Sequence, residues 1–155
     1  MRFRAILGIL LVLTSCSDSD MEYDYAFVCE NLDNPFNADY INLFFYIDLE
    51  DEIVRNTTVV TDKGKSMNKQ LIELGEKAFY SDLDYILPIT KISNSKITFE
   101  DNNQFGAARF ELDVSNLEMI YKSTLYNEDG SLADYYLYPE RKNPLTNNFK
   151  CISVE

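Results

Sequence analysis

Apolar and polar residues take turns along this chain at a spacing of two, in runs of roughly eight residues separated by turn formers. Successive side chains of a strand point to opposite faces, so each such run covers a core with one face and meets water with the other. Met21, Tyr23, Tyr25, Phe27 and Cys29 share one side of the first run, with Glu22, Asp24 and Glu30 on the other. Ile41, Leu43, Phe45, Ile47 and Leu49 repeat the pattern against Asn42, Phe44, Tyr46 and Asp48, and a β-branched stretch follows from Ile53 to Thr61. Leu83 to Ile92 reads as a strand although it contains Pro88, which belongs at an edge or a bulge. Ser93-Asn94-Ser95 is a hairpin connection into Lys96 to Glu100, and Asp101 to Asn103 are read as the next turn. Ala108 to Asp113, Leu117 to Tyr126, Leu132 to Tyr138 and Phe149 to Val154 complete the series, with Val114 to Asn116 and Asn127 to Gly130 as turns and Pro139 to Asn148 as a polar loop.

About eight short strands without alternating helices predict a mainly β fold, an antiparallel meander or small barrel. Residues 66 to 80 leave room for one short helix. Ser66 would cap it and Leu71, Leu74 and Ala78 would share a face, while Gly75 in its middle argues against it, so helix and strand both fit. Asp62 to Lys65 are read as the turn that closes the preceding strand.

The amino terminus carries a different signal. Arg2 and Arg4 precede an apolar stretch from Ala5 to Leu13, and Leu13-Thr14-Ser15-Cys16 ends it with a branched apolar residue, two small residues and a cysteine. This segment resembles a bacterial type II signal peptide. The resemblance implies removal of residues 1–15, diacylglycerol on Cys16 and a membrane reached through lipid; each buried methylene contributes about 0.8 kcal/mol, so two or three acyl chains anchor durably. Ordinary secretion is the competing reading; a membrane span is disfavoured because the stretch falls short of the roughly 20 residues required. Residues 16–20 then form an acidic tether, and Ser17-Asp18-Ser19-Asp20 suits either a signal for surface display or a solvated spacer facing the periplasm. Residues 21–155 form a single domain. The expected location is the cell envelope, at the outer membrane.

An oxidising compartment gives the remaining cysteines a meaning. Cys29 and Cys151 lie near the two ends of the folded part and are expected to form a disulfide that makes the first and last strands neighbours. Two free buried thiols are the alternative.

The net charge of −12 excludes nucleic acid as a partner and favours a cationic one, although an acidic surface also serves solubility alone. Histidine is absent, which removes the usual general base, the Ser-His and Cys-His pairs and most zinc or copper sites. The five glycines are scattered and build no phosphate loop. Asp48, Glu50, Asp51 and Glu52 are the densest oxygen donors, but a charged turn without the spacing of a calcium loop reads as solvated surface. Glu100 and Glu111 on adjacent strands are the one carboxylate pair conceivable for glycosidic chemistry. The chain is therefore expected to be non-catalytic, without cofactor or metal. Eleven tyrosines and ten phenylalanines enrich the sheet in aromatics. Tyr135, Tyr136 and Tyr138 stand beside Arg141 as a candidate binding surface, against strand packing as the simpler reason for them.

Tyr25-x-Phe27-x-Cys29, the terminal Phe149-Lys150-Cys151 and Gly106-Ala107-Ala108-Arg109-Phe110 are similar to elements of the membrane-bound inhibitors of c-type lysozyme. No Ser precedes Gly106, and the Trp-x-Lys-Gly element of that family is missing. The general layout also resembles small exported bacterial β domains. Three expectations follow: a lipid-anchored protein that binds or shields at the outer membrane, an inhibitor of a cationic lytic enzyme such as lysozyme, and a carrier of a small apolar ligand in the barrel interior.

Overall fold

Strand alternation closes on itself in the computed structural model, which describes residues 23–34, 39–104, 106–133 and 143–154. Eight strands run β1 (Tyr25–Asn31), β2 (Ile41–Asp48), β3 (Ile53–Val60), β4 (Leu83–Ser93), β5 (Lys96–Asn103), β6 (Gly106–Asp113), β7 (Glu118–Leu125) and β8 (Leu145–Ser153). Each pairs antiparallel with its neighbour in sequence, and β8 returns to β1, so the sheet is a closed barrel. Closure leaves no outer edge strand for another chain to join.

The seam between the ends carries the covalent bond. Cys29 lies opposite Cys151 in the β1–β8 ladder, and the two sulfurs are bonded, bridging 122 positions of sequence. The disulfide belongs to the core, together with Phe27, Phe45, Ile47, Val54, Leu87, Ile97, Phe99, Phe110, Leu112, Met119 and Phe149. Phe99 stacks on Phe110 at 4.8 Å between centroids, and Phe45 meets both at 5.8 and 5.9 Å. An eight-stranded barrel is just narrow enough for side chains of this size to fill it.

Filling is uneven along the axis. The rim holding the β2–β3, β4–β5 and β6–β7 turns is sealed by the aliphatic and aromatic residues just named. The opposite rim holds the long connections, and the buried inward positions toward it include the polar Asn31, Asn56, Thr58, Ser123 and Asn147 beside the apolar Val60. Asn56 is satisfied by donating to the Phe44 carbonyl, and Asn31 accepts from the N–H groups of Asp33 and Asn34. The described chain starts at the sealed rim, where Asp24 donates its N–H to Ile47 and accepts from the N–H of Leu49.

The segment between β3 and β4 contains a helix, but not where Ser66 and Gly75 suggest. Helix α1 spans Asp62–Glu73 and is capped by Thr61, whose hydroxyl accepts from the N–H of Gly64. Asp62 to Lys65 are thus its first turn rather than a loop. Gly75, with φ of +83°, follows the helix and ends it, so Ala78 lies outside the helical face. The chain returns antiparallel to α1, and Asn68 clips it by accepting from the N–H groups of Phe79 and Tyr80 while donating to the Tyr80 carbonyl.

Two further boundaries differ from expectation. Asp101 to Asn103 continue β5, since their partners Ala108, Ala107 and Gly106 extend the ladder beyond the Asn-rich stretch. Leu145 to Asn148, read as part of a polar loop, open β8 because Ser123 to Ile120 of β7 supply the facing ladder. Of the segment from Leu132 to Tyr138, Leu132 forms a lone bridge to Tyr126 after the Asn127–Gly130 turn. No described helix is long and apolar enough to cross a membrane.

Candidate functional site

Among the described residues the barrel wall parts in two places, between β1 and β2 beyond Cys29↔Leu43 and between β4 and β5. Among the described residues the β4–β5 ladder runs from Ser93↔Lys96 back to Ile89↔Phe99 and stops there, with an irregularity between Ile89 and Lys91. Beyond it β4 stays bonded to β3 from Pro88 to Leu83, and β5 stays bonded to β6 from Glu100 to Asn103. Pro88 explains the break. Ile89 donates its N–H toward β3, to the Glu52 carbonyl, so alternation aims the nitrogen of Pro88 at β5, where a ladder bond would need a hydrogen it lacks.

A cavity of about 360 Å³ occupies the parted wall between β4 and β5. Tyr85, Leu87, Asp101, Ala108, Phe110 and Tyr121 line it from inward positions, and the outward-facing Ile86 and Pro88 border its opening in the wall. Small residues make the space: Ala108 stands in the row of Asp101 and Ser123, and Gly106 lies at the rim of the same strand. A second hollow of about 250 Å³ shares Asp101, Ala108 and Tyr121 and reaches Ser123 and Leu125 toward the rim that holds the long connections. The floor is apolar and rigid, since Phe110 is stacked on Phe99 from one side and meets Tyr121 at 4.7 Å.

Among the described residues, Asp101 is the only formally charged side chain lining either hollow, and no described Lys or Arg lines them. Burial raises the Tyr85 phenol above its usual range, and the proximity of Tyr121 and Asp101 pushes in the same direction, so the ring keeps its proton at neutral pH. The site therefore offers aromatic walls, one carboxylate and the protonated phenol of Tyr85. It holds no nucleophile–base pair, and no cluster of three or more metal-ligating side chains occurs among the described residues.

Two further hollows occur among the described residues. One of about 290 Å³ forms where β1 and β2 part beyond Cys29↔Leu43, and it is lined by inward residues such as Cys29, Asn31 and Leu43 as well as by the outward-facing Val28, Lys150 and Ile152. Another crosses β6 to β8 near Lys96, Glu111 and Glu118 and is occupied by ion pairs between those residues and their neighbours.

Several residues singled out in the sequence fall elsewhere. Glu100 and Glu111 do not face each other across a substrate space; both flank Arg109 on the outer wall, at 3.2 and 3.9 Å. The Gly106 to Phe110 stretch opens β6, and Arg109 lies on that strand as its alternation with Ala108 and Phe110 predicts. Asp48 spends a carboxylate oxygen on the N–H of Asp51 within the β2–β3 turn. Cys29 and Cys151 form the expected disulfide. Tyr135, Tyr136, Tyr138 and Arg141, like Cys16 and the segment before it, lie outside the described residues. Sequence reasoning missed Tyr85, Asp101 and Tyr121; the available signal was Pro88 within a strand together with the small residues Gly106 to Ala108.

Compared with known protein families, curated proteins and solved structures, the chain matches none.

Proposed function

We propose that this chain is a non-catalytic, lipid-anchored protein of a bacterial envelope that holds a small, largely apolar molecule in the open half of its barrel. The observation that carries the reading is the combination of a parted β4–β5 wall with an inward cavity of about 360 Å³ lined by Tyr85, Leu87, Phe110 and Tyr121. Small-ligand sites are concave, mostly apolar and fixed by a few polar groups, and this volume lies at the lower end of their range. The barrel mouth is one of the places where they occur.

Two experiments test the parts separately. Native mass spectrometry of the protein extracted from membranes should show a bound molecule, and Ala108→Trp, which fills the cavity from an inward position, should remove it without unfolding the barrel. Retention of the molecule by Ala108→Trp would place it elsewhere and reject the reading. Cys16→Ser should release the protein from the membrane fraction; continued membrane association after a carbonate wash would reject lipidation.

A further inference from the structure

We propose that the cavity selects an organic cation, a small amine or quaternary ammonium with an apolar or aromatic body, placed against Asp101 among the rings of Tyr85, Phe110 and Tyr121. This deepens the proposed function and rests on the cavity being a ligand site. Three aromatic side chains and one carboxylate line the same space, and among the described residues no cationic side chain lines it or the adjoining hollow. Aromatic faces attract cations through the ring quadrupole, and this is the chemistry by which quaternary ammonium groups are recognised; here Phe110 forms the buried wall, while Tyr85 and Asp101 stand at the solvent-facing opening. The carboxylate supplies the counter-charge. An anion of the same size would meet Asp101 with nothing to compensate it.

Neighbouring charges leave Asp101 to this task. Glu100, next along β5, points to the outer wall and is paired with Arg109, and Asn102 donates to Glu100 as well. The high phenol pKa of Tyr85 keeps that ring neutral, so it does not add a second negative charge but remains an aromatic wall with a hydroxyl donor. Phe110 cannot swing away from a ligand, because Phe99 and Phe45 pack behind it. The overall charge of −12 raises the local concentration of cations around the molecule, and the cavity turns that general attraction into a specific one.

The test uses the full-length chain in neutral detergent and calorimetry with three probes of matched size: benzyltrimethylammonium, benzenesulfonate and benzyl alcohol. Benzyltrimethylammonium should bind at least tenfold more tightly than either of the others. Asp101→Asn should reduce its affinity about tenfold and leave benzyl alcohol unchanged, whereas Asp51→Asn, which removes the same charge from the exposed β2–β3 turn, should have no effect. Tyr85→Leu should also weaken the cation, and it supplies the measurement if Asp101→Asn fails to fold. Equal losses in Asp51→Asn and Asp101→Asn, no binding of the cation at millimolar concentration, or equal affinity for all three probes would overturn the proposal. Equal affinities that Ala108→Trp abolishes would remove the charge selectivity and keep the ligand site; equal affinities that survive Ala108→Trp would remove both.

Discussion

Phe99 shows how much one side chain carries in a barrel this narrow. It is fully enclosed and contacts Phe45 and Phe110, so Phe99→Ala should lower unfolding stability by about 3–5 kcal/mol in a urea melt. Gly64 carries a different constraint. It is the one buried residue of α1, and a Cβ there would run into the Tyr40 carbonyl and come within 2.6 Å of Val60 Cγ1. Helix propensity favours Ala over Gly, yet Gly64→Ala should destabilise by about 1–3 kcal/mol, because this clash outweighs the gain. Three exposed carboxylates set the acid response. Asp84 is held below the usual carboxylate range by hydrogen bonds from Arg55 at 2.8 and 2.5 Å, and Asp113 and Asp129 by Ser115 and Ser131. A depressed folded-state pKa means that the unfolded chain binds protons first. The stability from these groups is complete above about pH 4 and disappears as pH falls through their folded values. Urea midpoints measured from pH 6 to pH 2 should fall across that window, and Asp84→Asn should flatten the fall.

Elements differ in how legibly they were written. The strands were readable because alternation of buried and exposed residues is a local property, and Phe27/Cys29, Phe45/Ile47 and Phe110/Leu112 kept the faces assigned to them. The start of helix α1 is not legible because Thr61 and Ser66 are equally good caps in sequence, and the choice is made by Tyr40, whose carbonyl accepts the Thr61 N–H and leaves room only for Gly64. Pro88 was readable as an irregularity, but its consequence was not. A missing N–H becomes an opening only when small residues stand across the barrel, and that juxtaposition of Ala108 with Tyr85 depends on register. Pro88→Val restores the donor and should let the β4–β5 ladder continue past Ile89↔Phe99. Amide exchange at Glu100 to Asn102 should slow, and access of a neutral probe to the cavity should fall.

At the scale of the whole molecule, closure depends on the β1–β8 seam. The position of the two cysteines at the ends of the folded part made this closure legible, since a bond between them requires the first and last strands to be adjacent. Bridging 122 positions restricts the unfolded chain by about 5 kcal/mol in the chain-entropy model. Reduction, or Cys29→Ser with Cys151→Ser, should therefore lower the denaturation midpoint markedly, while the core contacts of Phe27 and Phe149 decide whether the barrel still closes at low temperature.

The first described residues leave from the sealed rim, where Asp24 is bonded to the β2–β3 corner. At about 3.5 Å per residue, the stretch from Cys16 to Tyr23 extends about 25 Å at most, close to the length of one wall strand. Acyl chains on Cys16 would hold that rim against the lipid and turn the gap beside Pro88 toward the aqueous side. Guests would then enter and leave through water and not by sliding out of the bilayer, which suits a soluble ammonium compound better than a phospholipid.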